Sequence, residues 1–398
     1  MKPIEVSQKT SVSISRPKRT PPSSLVVVVG PGLNNQGGIA AVNAVYQSVG
    51  MFDNRPPAGE TEGSRREHSW DRPEGLRVLF FETVCEGSWP IKILYSLWRA
   101  VLFAFWFPRS RLVVHLHVST GISFFRKYVF LILARTKGAK ILLHIHPFTF
   151  WDYAESGSRF RRRAVSRALH EADRIIVLTE SAARRARRIV PEEKIVVLLN
   201  PLNVQALQMH PATKRDKELV VFLGWYLPSK GVYDLIEALA RLGGRHPALK
   251  AIFGGCKETS SVKCAVRARG LDRVIEVCGW LDRGQVKTLL HSCSIFALPT
   301  YTEGVPMVML EAMACGAPIV TCPVGGIPDV VQEGRNVVYV EAGDVQGLTE
   351  ALHQLLIDGR RREELSANNT GDARRFDVRG LSSQLASIYQ RICDAPWG

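Results

Sequence analysis

The chain has 398 residues, 46% hydrophobic and 22% charged. That balance excludes a wholly disordered polypeptide and supplies more apolar material than one core holds, since single cores stop growing near ~250–300 residues. The formal net charge of +15 excludes an acidic protein and directs attention to anionic partners.

The first 24 residues, MKPIEVSQKTSVSISRPKRTPPSS, are polar and lack the apolar centre of a secretory signal. They are expected to form a disordered tail on a protein that stays in the cytoplasm. An apolar run, LVVVV (25–29), then leads through GPGLNNQGG into a helix-like stretch, IAAVNAVYQSV. The turn carries Gly37 and Gly38, residues that tolerate positive φ and leave room for a ligand. It lacks the G-x-G-x-x-G order of a dinucleotide loop. Residues 51–75 read as a polar, mobile loop. After the run RVLFFE (77–82), residues 93–107, ILYSLWRAVLFAFWF, are too short and too interrupted by Arg99 for the ~20 apolar residues of a membrane span. A buried helix is the default expectation. A helix lying in a membrane interface is the alternative, because Trp89, Trp98 and Trp106 suit that zone.

Further strand-like runs are LVVHLHV (112–118), KILLHIH (140–146), DRIIVLT (173–179) and IVVLLNP from 195. Continuous apolar runs of this kind mark parallel strands buried on both faces, and the helix-length segments between them imply right-handed crossovers. His115/His117 and His144/His146 each share a sheet face by period-two alternation. Zinc binding by these four would require the two strands to be neighbours, and the expectation is that the protein carries no metal. A buried, hydrogen-bonded histidine is the plainer reading of each. Between Arg159 and Arg188 stand ten arginines, either a solvated helix face or a surface for anionic membrane or nucleic acid.

Residues 209–218 read as a linker, after which a second series begins: LVVFLGW (219–225), LKAIFGG (249–255), VIEVCGW (274–280), SIFALP (294–299), PIVTC (318–322) and NVVYVE (336–341). The expected fold class is α/β, two doubly wound parallel-sheet domains facing across a cleft, with ligands at the carboxyl ends of the strands. The eight cysteines form no C-x-x-C pair and sit mostly in apolar runs, which suits free thiols rather than disulfides or a zinc site.

The chemistry concentrates in PTYTEGVPMVMLEAMACGAPIVTCPVGGIPDVV (299–331). A strand ends, a loop follows, and a helix begins with Pro306 near its first turn and Gly316 as its stop. Glu303 precedes the helix and Glu311 lies inside it, on the face shared by Met307 and Ala314. Free N–H groups at the helix start make a ready phosphate site. Carboxylates set among apolar residues are costly unless they serve a ligand or a partner.

This stretch resembles the E-x7-E signature of retaining glycosyltransferase family 4, of the GT-B fold. Lys230–Gly231 after LVVFLGW, IFGG (252–255), VCGW (277–280), HSCSIFALPTYTEG and CPVGGIPDVV fall in the family's order, and the likeness spans about residues 140–360. It implies an amino-terminal, acceptor-side domain over 25–208 and a nucleotide-sugar-binding domain over 209–379, with residues 380–398 returning to the first. It implies that Glu303 contacts the donor sugar, that Glu311 holds the ribose, and that Lys230 neutralises the departing pyrophosphate. Backbone N–H groups of Gly304, Val305 and Met307 would hold sugar or phosphate, and Gly37–Gly38 would approach the donor phosphate. His146, before PFTF, matches the family's active-site histidine. The family usually has an arginine directly after the position of Gly224. This chain has Trp225, leaving Lys257 or Arg283 as second cation. No Asp-x-Asp is present, so no cofactor or metal is expected at the pyrophosphate.

The segment HLHVSTGISFFRKYVFLILA (115–134) resembles bacterial polysaccharide-assembly members. Together with the arginine-rich face and the aromatic helix, it implies a lipid-linked saccharide acceptor in exopolysaccharide, capsule or O-antigen synthesis and a peripheral place on an anionic cytoplasmic membrane, with no nucleic acid. A UDP- or GDP-sugar donor is expected, though no single residue decides the base. The alternatives are a silent GT-B scaffold and a basic nucleic-acid-binding protein.

Overall fold

The computed structural model describes residues 24–53 apart from 34, 75–107 apart from 86 and 88, 111–209, and 215–397. The expected disordered tail apart from Ser24, which opens the first strand, nearly all of the polar loop and half of the linker lie outside the described residues.

Among the described residues twelve strands form, one for each apolar run. The first sheet contains β1 (Ser24–Gly30), β2 (Leu76–Glu82), β3 (Leu112–Val118), β4 (Lys140–Ile145), β5 (Arg174–Val177) and β6 (Ile195–Val197), in the order β2-β1-β3-β4-β5-β6. Its helices are α1 (Gly38–Ser48), α2 (Trp89–Trp106), α3 (Gly121–Arg135), α4 (Phe150–Glu155), α5 (Arg159–Glu171) and α6 (Glu180–Ala186). A short α7 (Val204–Gln208) leads to the second sheet. That sheet contains β7 (Leu219–Leu223), β8 (Lys250–Gly254), β9 (Ile275–Val277), β10 (Ile295–Leu298), β11 (Ile319–Thr321) and β12 (Val337–Tyr339), in the order β12-β11-β10-β7-β8-β9. Around it lie α8 (Val232–Leu242), α9 (Ser260–Ala268), α10 (Arg283–Ser292), α11 (Met307–Ala314), α12 (Ile327–Val330), α13 (Val345–Ile357) and α14 (Gly359–Asp372). The final α15 (Val378–Asp394) packs against α1 and β3.

Every pairing between named strands is parallel. All seven residues of β3 and all six of β4 are buried, because helices cover both faces of a parallel sheet. Helix α8 shows how a covering helix is specified: Val232, Leu235, Ile236, Leu239 and Leu242 recur at three- and four-residue spacing and are all buried. Asp282 and Gln285 start α10 with a reciprocal capping box. One face of the first sheet shares a continuous core with the whole second sheet, bridged by Val42 and Tyr46 of α1 and Tyr389 of α15.

Helix α2 departs from the default expectation of burial. Phe103 is fully buried, but Ile91, Ile93, Leu94, Leu97, Trp98, Val101, Phe105 and Trp106 are exposed, Phe105 to 87%. Arg99 faces inward, its guanidinium 3.8 Å from the Phe81 ring centre and its Nε donating to the Glu82 carbonyl at 2.7 Å. The aromatic run is apolar enough for a core, yet its register turns one broad apolar face outward.

Candidate active site

The strand order of the second sheet reverses between β7 and β10, where crossovers diverge and leave a crevice at the strands' carboxyl ends. The chain leaves β7 and makes a tight turn at Pro228–Lys230, closed by Gly231 at φ 68°. A Cβ on Gly231 would lie 1.9 Å from the Pro299 carbonyl oxygen, so only glycine lets this turn approach the end of β10. Tyr301 N–H donates to Ser229 O at 2.9 Å and locks the two loops together. The consequence is direct contact between Lys230 and Glu303, with Nζ 2.5 Å from Oε1 and both side chains 18% exposed. Burial raises the Glu303 carboxyl above its ordinary value, and the neighbouring ammonium pulls it partly back.

Beyond Glu303 the chain passes under the first domain. A Cβ on Gly304 would fall 2.5 Å from the carbonyl oxygen of His146, so the two loops touch backbone to backbone. Asn200 donates its amide to the Val305 carbonyl at 3.0 Å, and Ser181 clasps Asp329 with its backbone N–H and hydroxyl, each at 2.7 Å. Gly325, at φ 61°, supports the loop from below, because a Cβ there would meet the Glu303 carbonyl oxygen at 1.8 Å. Pro306 is the residue capping α11 rather than a member of its first turn, and Gly316 at φ 66° follows its end. Among the described residues, the N–H groups of Gly304, Val305 and Met307 donate to no backbone acceptor. They stand at a helix start, where such groups and the helix dipole favour an anion.

Glu311 lies partly buried on α11. Burial pushes its carboxyl up to about 7, against the opposing pull of Arg283. Arg283, weighed for the pyrophosphate, therefore acts electrostatically at the Glu311 end. Trp225 and Trp280 are both exposed beyond β7 and β9. Gly37, at φ 123°, precedes α1, and neither it nor Gly38 would bring a Cβ within 4 Å of another group. Helix α1, which this turn begins, packs against α11, the helix that carries Glu311.

The histidines converge. Strands β3 and β4 are neighbours, with His117 paired in register to His144, which meets the adjacency that zinc binding would require. His117 Nδ1 lies 2.7 Å from His146 Nε2, and His115 Nε2 lies 3.2 Å from His144 Nδ1. His115 Nδ1 also meets the Tyr389 hydroxyl of α15 at 2.7 Å. The rings stack, those of His144 and His146 at 4.2 Å between centres. Burial keeps all four below the ordinary histidine value, His115 and His146 at about 3, so they are neutral near pH 7. His146 sits just past β4, at the contact with Gly304, and holds His117 with Nε2, leaving Nδ1 for a ligand.

Residues 205–372 match the family model described as "Glycosyl transferases group 1". Over this segment the chain is similar to that family. The segment contains Lys230, Glu303, Gly304, Val305, Met307 and Glu311, whereas Gly37, Gly38 and the histidines lie before it. The D-inositol 3-phosphate glycosyltransferase of Nocardiopsis dassonvillei is 24% identical over 284 residues, 66% of this chain and 64% of that protein. The N,N'-diacetylbacillosaminyl-diphospho-undecaprenol alpha-1,3-N-acetylgalactosaminyltransferase of Campylobacter jejuni is 25% identical over 56% of this chain and 61% of its own length. The chain thus spans less than two thirds of either relative. Anabaena Alr3699/HepE, solved in complex with UDP-glucose, superposes with a TM-score of 0.70 at 17% identity over 92% of this chain and 99% of that one. The architecture is GT-B, two Rossmann-like domains.

The second domain meets the first through residues that sequence reasoning did not single out. Asn200, Ser181, Asp329 and Gly325 hold the Glu303 loop, but their contacts span up to 148 residues. The only local hint was the Gly-Gly-Ile-Pro-Asp run after β11.

Proposed function

We propose that the protein is a retaining glycosyltransferase that takes a sugar from a UDP- or GDP-sugar. The observation that carries this reading is the Lys230–Glu303 pair at the β7/β10 crevice, beside unused N–H groups at the start of α11. An ammonium and three peptide N–H groups suit a diphosphate, and an adjacent carboxylate suits sugar hydroxyls through charge-assisted hydrogen bonds. Glu311 takes the ribose hydroxyls, and Gly37–Gly38 leave space for the donor phosphate. That Anabaena HepE was solved with UDP-glucose in the same fold supports a uridine donor.

In the transfer, the acceptor hydroxyl oxygen forms a bond to the anomeric carbon on the face that the diphosphate leaves. The carbon–oxygen bond to phosphate breaks with its electron pair going to the phosphate oxygen, which takes the acceptor's proton. Charge on the leaving diphosphate grows in the transition state, so Lys230 and the α11 amides stabilise that state more than the bound donor. Glu303 orients the sugar and balances Lys230 before the donor arrives. His146, neutral and presenting Nδ1, accepts a hydrogen bond from a sugar or acceptor hydroxyl. No resident metal takes part at the pyrophosphate in this scheme.

The acceptor in this reading is a lipid-linked saccharide of bacterial exopolysaccharide, capsule or O-antigen synthesis, met at an anionic membrane surface. The outward apolar face of α2 supports it, joined by Ile122, Val129 and Phe160 of the neighbouring α3 and α5. Arg159, Arg162, Arg163 and Arg167 of α5 line a shallow groove beside this face. The relative from Campylobacter jejuni acts on a diphospho-undecaprenol by its name. No helix among the described residues is long and apolar enough to cross a membrane. The deciding experiment is a melting-temperature screen with UDP-, GDP- and ADP-sugars, since ligand binding to the native state raises stability. A rise with one donor that disappears in Lys230→Ala and Glu303→Ala is the expected result. No rise with any donor would sink the assignment.

A further inference from the structure

Three fully buried imidazoles on one face of one sheet, with a fourth at their edge, make a costly arrangement unless something uses them. His115, His117 and His144 are each at most 1% exposed, and each presents one ring nitrogen within 4.8 Å of the other two. The hydrogen-bond chain through them does not close. Tyr389 hydroxyl meets His115 Nδ1, and His115 Nε2 meets His144 Nδ1, but His144 Nε2 is buried with no partner. Either direction of proton donation along this chain leaves that last atom unsatisfied, as a bare donor or a bare acceptor. A buried polar atom without a partner costs about 1–3 kcal/mol. The same face holds further buried polar atoms without partners: the Tyr46 hydroxyl and both amide atoms of Asn43 on α1. Asn43 stands over Gly30 at the end of β1, the strand beside β3.

We propose that His115, His117 and His144 bind one divalent transition-metal ion, of the zinc, cobalt and nickel class. An all-imidazole set selects these ions and disfavours magnesium and calcium, which take oxygen ligands. Tetrahedral zinc at ~2.0–2.1 Å from nitrogen puts its ligands about 3.4 Å apart. The three rings each offer a nitrogen within 4.8 Å of the other two, so the set has at most about 1.4 Å to contract, and the ion would take the place of the His115 Nε2–His144 Nδ1 hydrogen bond. Burial supplies the ligands in the neutral form that a metal requires. Lys127, the cationic side chain that acts on His117, is itself pushed well below the ordinary lysine value by burial, which weakens its opposition to a dication. Tyr389 is the outer partner, accepting from His115 Nδ1–H and fixing that ring, as second-shell groups do for metal-bound histidines. Three protein nitrogens leave a fourth position for water.

The site lies within the first sheet, away from Lys230 and Glu303 but one hydrogen bond from His146, and it does not rest on the donor reading. Its test uses the untagged full-length protein, freed of metal by a chelator and titrated with cobalt(II). The expected result is a visible absorption band of four-coordinate cobalt that saturates at one ion per chain and is abolished by one equivalent of zinc. His144→Gln and His117→Gln remove the band. His246→Gln, in the pair that His246 and His353 form at 2.8 Å in the second domain, keeps it. Absence of the band in the unmodified protein overturns the proposal, as does a band of equal strength in His144→Gln. UDP-glucose binding by the metal-free protein, followed in parallel, separates this outcome from any failure of the donor site.

Discussion

The two sheets are built on one plan and end in opposite chemistries. The second sheet brings an ammonium and a carboxylate together at its strand ends, under glycines that admit no side chain. The first sheet ends in neutral stacked imidazoles, and beyond it α2 turns eight large apolar residues outward. A charged crevice backed by helix N-termini suits a diphosphate leaving group. A neutral wall beside an apolar surface suits a saccharide carried on a lipid. The difference teaches that in this fold the sheet supplies only position, and each half acquires its role from the few residues just past its strands.

The most severe way to break the contrast is to remove the charges from the second sheet. Lys230→Ala and Glu303→Ala are each expected to lower turnover by about 10²–10³-fold, the scale of a lost transition-state donor. Each single change also leaves a partly buried charge unpaired, so melting temperature should fall by a few degrees. The double variant Lys230→Ala/Glu303→Gln should recover much of that loss, because the partners are coupled. Turnover preserved in both single variants would refute the donor site.

The apolar face comes next. Phe105→Glu combined with Leu97→Glu should abolish flotation with vesicles containing anionic lipid, while UDP-sugar binding stays unchanged. Flotation of the unmodified protein should weaken as salt rises, since exposed arginine–lipid attraction is screened beyond ~10 Å at 0.1 M salt. Undiminished flotation of the double variant would remove α2 from the membrane. A smaller effect is expected at His146, where alanine should reduce turnover by about 10–100-fold with donor affinity nearly intact. A collapse of donor affinity there would erase the division of labour between the sheets.

How far these features could be read from the chain depends on how local their causes are. Twelve apolar runs became twelve strands because a strand buried on both faces advertises itself by composition alone. The Glu303 and Glu311 positions were legible because one loop and one helix fix their spacing. The Lys230–Glu303 contact was not, since it arises only when β7 and β10 become neighbours across 73 residues. The histidines were visible as two same-face pairs, but whether β3 lay beside β4 was a matter of sheet order. Helix α2 misled for a different reason: a run such as ILYSLWRAVLFAFWF reports how apolar a segment is, whereas its direction depends on Arg99 reaching Phe81. The clasp of Ser181 on Asp329 left no trace, as serine and aspartate are ordinary at helix starts.

The gentlest test of the contrast is thermodynamic. Glu311 titrates at about 7 in the folded protein against an ordinary 4.5. Between those values the unfolded chain has already released the proton that the folded chain retains. Stability from this group therefore falls as pH rises through the window, and the loss is complete above about pH 7. At ~1.4 kcal/mol per pH unit the ceiling is about 3 kcal/mol, and solvent reaching the partly open side chain lowers the expectation to about 1–2 kcal/mol. The buried histidines act with the opposite sign: they are depressed, so acid costs stability as the unfolded imidazoles gain protons. Their contribution is common to the unmodified protein and Glu311→Gln and cancels in the difference between them. Denaturant unfolding of both from pH 5 to 8 should show Glu311→Gln gaining relative stability with rising pH and levelling above 7. Donor affinity in the unmodified protein should rise several-fold over the same interval, because only the carboxylate accepts two ribose hydroxyls. A flat difference would mean that Glu311 is solvated and ionised throughout, and the buried ribose contact would then have to be sought elsewhere on α11.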